Sequence, residues 1–97
     1  MLVRTTRAQT HPGQVDEFVR RWREVVAPHV PEMPGLRSVH LCGNRETNTV
    51  MTIHLWDTPP DETSHKIHDQ QRFRDYVRDI LASGEPVTEE YEVFATE

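Results

Sequence analysis

Hydrophobic residues recur along this chain with two periods, one typical of helices and one typical of strands. Over residues 15–26 they fall three and four positions apart, at Val15, Phe18, Val19, Trp22, Val25 and Val26. That spacing places them on one face of a helix. Pro28 is expected to end the helix, because proline lacks a backbone N–H and clashes with the preceding turn.

Three segments carry the features of strands. Residues 2–10 contain neither glycine nor proline and include Val3 and three threonines. Residues 36–42 alternate in character and follow a proline-rich stretch that cannot continue a helix. Residues 49–56 are rich in β-branched and aromatic side chains, apolar on both faces, which is typical of a central strand. The polar residues 43–48 between the last two segments predict a hairpin loop.

A second helix is expected to begin at Thr58, whose hydroxyl can cap it and which precedes two prolines and two acids. Its apolar stripe is irregular, because Ile67 is isolated while the apolar residues of 73–81 keep helical spacing. We therefore predict a kink or break near residues 69–71. Ser83-Gly84 is expected to end the helix in a left-handed conformation.

The final segment, residues 87–95, alternates apolar residues with glutamates and predicts an edge strand with one solvated face. The order β, α, β, β, α, β contains two crossovers, which are right-handed in nearly all proteins. They interleave the strands into one four-stranded antiparallel sheet with both helices on one face. The sequence thus predicts a single α+β domain of the ferredoxin-like class over residues 1–97.

The predicted third strand has two apolar faces, and helices on one side of the sheet can cover only one of them. Met51, Ile53 and Leu55 point to one face, opposite to the face of Val50 and the residues that alternate with it. A large exposed apolar surface usually marks an interface. We therefore expect a homodimer that packs sheet to sheet.

Composition excludes several classes of function. Sixteen acidic and eleven basic residues give a net charge of -5, which repels phosphate backbones and argues against nucleic acid as a partner. No run of eighteen apolar residues predicts a membrane span, and the N-terminus lacks the apolar core of a signal peptide. Cys42 is the single cysteine, which fits a reducing compartment. We expect a cytoplasmic protein.

The element order, Pro34-Gly35 before the second strand and the run Ile53 to Asp57 into the second helix together resemble the antibiotic biosynthesis monooxygenase family. The resemblance covers nearly the whole chain. It implies a dimeric α+β barrel in which each protomer holds an apolar cleft between helices and sheet. It also implies one of two chemistries: oxidation of phenolic substrates to quinones with dioxygen and no cofactor, or haem degradation with a histidine of the second helix as iron ligand.

Three residues of the third strand are the candidate catalytic residues. Trp56 stands where the resemblance places a tryptophan, and Thr52 and His54 share its face. The resemblance places an asparagine in quinone-forming members where this chain has Thr52, whose hydroxyl can still donate one hydrogen bond to a developing oxyanion. His54 can accept a phenolic proton, because an imidazole titrates near neutral pH.

The candidates for contact with a substrate come from both helices and the first two strands. They are Thr6, Phe18, Trp22, His40, His65, Phe73 and Tyr76. His65 lies near the position that the resemblance gives to the haem ligand, and His68 follows one turn later, a spacing that can hold a metal. Either Arg4 or Arg7 is expected to point inward.

These observations favour a cofactor-independent monooxygenase that acts on a hydrophobic aromatic or polyketide-like small molecule. Three alternatives stay open. They are a haem-binding and haem-degrading enzyme that uses His65, a polyketide cyclase or isomerase that transfers protons without oxygen, and a dimer that binds a small ligand without catalysis. The favoured interpretation needs neither metal nor organic cofactor.

Overall fold

A computed structural model of the chain describes residues 1–57, 66–82, 84 and 86–97, with the backbone alone for residues 66–71. The elements of this part of the chain are β1 (Leu2–Gln9), α1 (Val15–Val25), a 3₁₀ helix (Ala27–Glu32), β2 (Leu36–Asn44), β3 (Thr49–Trp56), α2 (Lys66–Val77) and β4 (Val87–Glu92). The predicted order βαββαβ is confirmed, and β3 has the bounds that its sequence indicated.

The four strands form one antiparallel sheet in the order β2-β3-β1-β4. The ferredoxin-like α+β fold is therefore confirmed, with β3 in the interior of the sheet and β4 at one edge. β4 ends at Glu92 rather than Ala95, and its residues are exposed throughout, whereas one buried face had been expected.

The strand register assigns residues to the two faces of the sheet. Thr6 lies opposite Thr52 and Arg4 opposite His54, so alternate residues of β1 and β3 share a face. The helices cover the face that carries Arg4, Thr6 and Ala8 of β1 and Val50, Thr52, His54 and Trp56 of β3, which we call the covered face. The other side, with Val3, Thr5, Arg7, Met51, Ile53 and Leu55, is the open face. Arg4 is thus the arginine that points inward.

The core lies between α1, α2 and the covered face. Val15 and Phe18 of α1 pack with Val50, Val77 and Ile80, and all five are buried. The ring of Phe18 meets Phe73 of α2 edge to face, with centroids 5.4 Å apart and planes at 78°. The helical spacing of apolar residues in α1 is thus confirmed, because one stripe of the helix is buried against the sheet.

The α-helix ends before Pro28, as predicted, but the chain continues as a 3₁₀ helix. α1 ends at Val25, and a 3₁₀ helix follows with Pro28 in its first turn and Pro31 inside it. Proline is tolerated in a first turn because its missing N–H would have no partner there. This segment carries His29 and Met33 back toward the sheet.

α2 differs from its prediction in two ways. The helix is continuous from Lys66 to Val77, so the break expected at residues 69–71 is absent. It ends four residues before Leu81, and the N–H groups of Ile80 and Leu81 both donate to the carbonyl of Val77, at 3.0 and 3.2 Å. Ile80 and Leu81 therefore pack from a turn. The expected cap Thr58 and Ser83 lie outside the described residues. Gly84 has a φ of 117°, but it lies seven residues beyond Val77, the last residue of α2, and so does not end the helix.

An arginine network fastens α1 to the turn that follows α2. The Arg21 side chain donates to Glu17, to the Tyr76 carbonyl at 2.8 Å and to Asp79 at 2.7 Å. Hydrogen bonds from Arg20, and then from Arg21, lower the pKa of Glu17 to about 2. The hydrogen bond from Arg21 likewise lowers the pKa of Asp79. These contacts hold the two helices over the covered face.

Candidate functional site

A cleft of about 130 Å³, partly open to solvent, lies between the helices and the covered face. For comparison, an engineered apolar cavity of about 150 Å³ binds benzene. The cleft is close to that size and is open on one side, so a ligand larger than one aromatic ring would extend into solvent.

Strands β1 and β3 supply the floor of this cleft. Thr6 and Ala8 of β1 lie beside Val50, Thr52 and His54 of β3. The Thr6 hydroxyl oxygen is 3.2 Å from that of Thr88 on β4. The register thus gathers two hydroxyls and an imidazole on an otherwise apolar surface.

The walls of the cleft are mostly apolar. Phe18 and Trp22 come from α1, and Phe73 and Val77 come from α2. Aromatic walls of this kind favour a planar apolar ligand. Met33 lines the cleft as well, and it follows the 3₁₀ helix.

Trp56 lies on the covered face, but it is not among the residues that line the cleft. Its side chain is buried, at 2% exposure. Its ring runs nearly parallel to that of His54, with centroids 6.2 Å apart and planes at 9°. Trp56 can therefore orient His54, whereas His54 itself meets the cleft.

Arg4 lies directly opposite His54 in the sheet and pairs with an acid on the next strand. Its Nε donates to Oε1 of Glu90 at 2.9 Å. The pair places one positive and one negative charge on the covered face, beside His54 in the register. Neither member lines the cleft.

Most residues predicted to contact a substrate do line the cleft, but two do not. Thr6, Phe18, Trp22 and Phe73 border it. His40 lies opposite Ile53 and is therefore on the open face, whereas its neighbour Leu41 lies opposite Thr52 on the covered face. Tyr76 is on the outer surface, where its hydroxyl lies 3.3 Å from Glu24 and Arg21 stacks on its ring. His65 lies outside the described residues.

Several lining residues were not predicted. His29 reaches the cleft from the 3₁₀ helix, and its Nδ1 is 3.3 Å from Oε2 of Glu32. The sequence did not indicate this residue, because the helical spacing of apolar residues in α1 ends at Val26. Arg74 also lines the cleft; its position next to Phe73 and one turn before Val77 could have indicated it. Met51 borders the cleft too, although its register places it on the open face.

In the described ranges, no group of three or more histidine, cysteine, aspartate or glutamate side chains is placed to hold a metal. The predicted haem contact depends on His65, outside those ranges, so no haem geometry follows. Within the same part of the chain, neither α-helix is long and apolar enough to cross a membrane.

Comparisons with known proteins agree with this geometry. The family model for antibiotic biosynthesis monooxygenase matches residues 1–79. A structure from Nitrosomonas europaea that carries the same family name superposes with a TM-score of 0.78 at 18% identity, over 98% of this chain and 100% of that one. A search of curated proteins finds no match.

Two further solved structures are similar. A monooxygenase from Streptomyces coelicolor in complex with the ligand nanaomycin D has a TM-score of 0.77 at 14% identity, over 99% of this chain and 89% of that one. A protein from Mycobacterium tuberculosis has a TM-score of 0.74 at 11% identity, over 98% of this chain and 96% of that one. At such identities the likeness shows the fold, while activity has to be argued from the site.

Proposed function

We propose that this chain, which belongs to the antibiotic biosynthesis monooxygenase family, oxidises a hydrophobic phenolic substrate with dioxygen and without a cofactor. The observation that carries the proposal is the cleft, where aromatic walls face a floor that bears Thr6, Thr52 and His54. The nanaomycin D complex of the structurally similar Streptomyces coelicolor monooxygenase supports a ligand of this type.

Binding and deprotonation are the steps that the protein performs. Phe18, Trp22 and Phe73 hold the aromatic rings and remove them from water. His54 accepts the phenolic proton: the O–H bond breaks, the proton moves to a ring nitrogen, and the electron pair stays on the substrate oxygen. The Thr52 hydroxyl, beside His54 on the floor, donates a hydrogen bond to the resulting oxyanion.

The electrons for the oxidation come from the substrate anion. For an anthrone, the ring CH₂ becomes a carbonyl, one atom of dioxygen enters that carbonyl and the other leaves in water. The four electrons lost by the carbon reduce both oxygen atoms. The protein's contribution is to orient the anion and to stabilise its charge.

Trp56 is a positioning residue in this proposal. Its buried ring lies parallel to that of His54, so it restricts the plane in which the imidazole can present its nitrogen. Trp56→Phe should keep much of this packing, whereas Trp56→Ala should lower kcat and leave the fold weakened by a cavity.

The open face supports a homodimer as part of the same proposal. Ile53 and Leu55 are only partly buried there, and Tyr91 of β4, which pairs with Val3, is 52% exposed. A second copy that packs on this face would remove these apolar side chains from water. The family resemblance implies the same assembly.

An anthrone oxidation assay tests the function. Quinone absorbance and oxygen uptake are followed in air and under argon, with His54→Ala as the variant and His40→Ala as the matched control on the opposite face. We expect the wild type to form quinone in air and not under argon. Turnover should be about 100-fold slower in His54→Ala, a typical contribution of general base catalysis. Turnover should be unchanged in His40→Ala.

Other results would redirect the proposal. A folded dimer that forms no quinone in air would contradict it. Conversion of the substrate under argon to a product of unchanged oxidation state would indicate proton-transfer chemistry of the cyclase or isomerase kind. Equal losses in His54→Ala and His40→Ala would refute the assignment of catalysis to the covered face.

A further inference from the structure

The charge of the cleft differs in sign from that of the whole chain. The chain carries a net charge of -5, yet no aspartate or glutamate is among the described residues that line the cleft. Arg74 is the one permanently charged side chain in that lining. The local field of the cleft therefore favours an anion.

Arg74 is available for a ligand because other arginines hold the acids nearby. Asp75 pairs with Arg78 at 2.8 Å, and Asp79 pairs with Arg21 at 2.7 Å. In the described part of the chain, Arg74 itself makes no ion pair. The residue is exposed and still lines the cleft, which fits an apolar stem along the wall and a charged group in reach of solvent.

The position of Arg74 relative to the aromatic walls defines the ligand that fits. It follows Phe73, whose ring packs against Phe18, and it precedes Val77 by one turn on the same side of α2. An aromatic ring held by these walls could present a substituent at the mouth of the cleft. A guanidinium recognises a carboxylate there with two parallel hydrogen bonds.

We propose that the cleft selects aromatic compounds that carry a carboxylate, and that Arg74 is the residue that recognises this group. The proposal rests on the proposed function and narrows its substrate class. Arg74 acts in specificity: it binds the carboxylate, while the proton transfer at His54 takes place elsewhere on the ligand.

Binding of a matched pair of ligands tests the proposal. Anthraquinone-2-carboxylate and its methyl ester share one ring system and differ in charge. Dissociation constants come from quenching of tryptophan fluorescence, because Trp22 lines the cleft. The variants are Arg74→Gln, Arg74→Lys and the control Arg23→Gln, which removes the same charge at an exposed position of α1 that does not line the cleft.

We expect the wild type to bind the acid about 10-fold more tightly than the ester, as hydrogen bonds to a charged group imply. The preference should fall to about 2-fold or less in Arg74→Gln, take an intermediate value in Arg74→Lys, and stay unchanged in Arg23→Gln. Because a ratio of two ligands is measured on each variant, a small loss of folded protein does not affect it.

The failure of this proposal can be told apart from failure of the proposed function. Equal binding of acid and ester by the wild type, or a preference that survives in Arg74→Gln, overturns the role of Arg74 and leaves the aromatic cleft in place. Binding of neither compound overturns both proposals.

Discussion

The two faces of the sheet are built from the same strands, yet they present different surfaces. On the covered face, Val50 is buried beneath α1 and α2, and Thr52 and His54 meet a cleft. One residue away along β3, Ile53 and Leu55 reach the open face and remain partly exposed. The alternation of side chains in a strand therefore allows one segment to serve two partners.

Neighbouring residues of β3 therefore have different surroundings: one faces the cleft, and the next faces the open side of the sheet. Polar groups on the covered face lie in a partly enclosed space, where they interact with a ligand more strongly than they would in water. Apolar groups on the open face have no such cover within one protomer. We therefore propose that the small molecule binds the covered face and that a second copy of the chain packs on the open face.

Removal of an aromatic ring from the covered face should have the largest effect. Phe18 is 6% exposed and packs on Phe73, so Phe18→Ala should lower the free energy of unfolding by about 3–5 kcal/mol. Phe94, at 90% exposure, is the matched control, and Phe94→Ala should change it by less than about 0.5 kcal/mol. Urea denaturation followed by circular dichroism measures both. Equal losses would show that Phe18 is not part of the core.

A charge on the open face tests the proposed dimer, which it should weaken. Ile53→Asp places a carboxylate between Thr5 and His40 in the register, and its burial in an interface is unfavourable. We expect the dimer dissociation constant to rise by about 100-fold or more, in line with the cost of truncating a hot spot. Analytical ultracentrifugation measures it. Gln14→Asp, which adds the same charge before α1, should leave assembly unchanged; a dimeric Ile53→Asp protein would place the interface elsewhere.

Replacement of a threonine by valine removes one hydroxyl and keeps the size of the side chain, so it can compare the covered face with the open face. Thr52→Val removes the donor that we assign to the oxyanion, and kcat for anthrone oxidation should fall about 100-fold. Thr5 lies opposite Ile53 on the open face, so Thr5→Val should keep the wild-type kcat. Steady-state kinetics distinguish the two variants. A larger loss in Thr5→Val would reverse the assignment of the faces.

The smallest expected effect is a pH-dependent change in Tm caused by the ion pairs of α1. The pKa of Glu17 is lowered from 4.5 to about 2, so its stabilising contribution is present above pH 4.5 and is lost as the pH falls toward 2. Glu17→Gln should lower Tm slightly at pH 7, and the difference from wild type should vanish near pH 2. Glu46→Gln, in the turn of residues 45–48, is the control and should show no such trend. A difference that persists at pH 2 would contradict the role of the ion pairs.

The sequence predicted the fold because its strongest patterns are long and consistent. The helical period of α1 and the bounds of β3 both match the structure. Errors arose where tertiary contacts override local signals. The 3₁₀ helix Ala27–Glu32 was not predicted, because its prolines give no helical signal. Ile80 and Leu81 keep a helical spacing although they lie in a turn held by the Val77 carbonyl.

The site was predicted less completely than the fold. Thr52 and His54 could be placed on one face by alternation alone. His40 could not, because a register irregularity between Leu36 and Ser38 of β2 changes which of its residues face the helices. Trp56 was placed on the correct face, but the distinction between lining the cleft and packing behind His54 depends on depth, which no sequence period encodes. The role of His65 stays a prediction.

Methyl NMR of a labelled protein tests the central claim, that the two faces serve different partners, most directly. Titration with anthraquinone-2-carboxylate should shift the methyl signals of Val50, Val77 and Leu81, which surround the cleft. The signals of Ile53 and Leu55 should stay in place. Shifts centred on Ile53 and Leu55, with Val50 unchanged, would contradict the assignment of the ligand to the covered face.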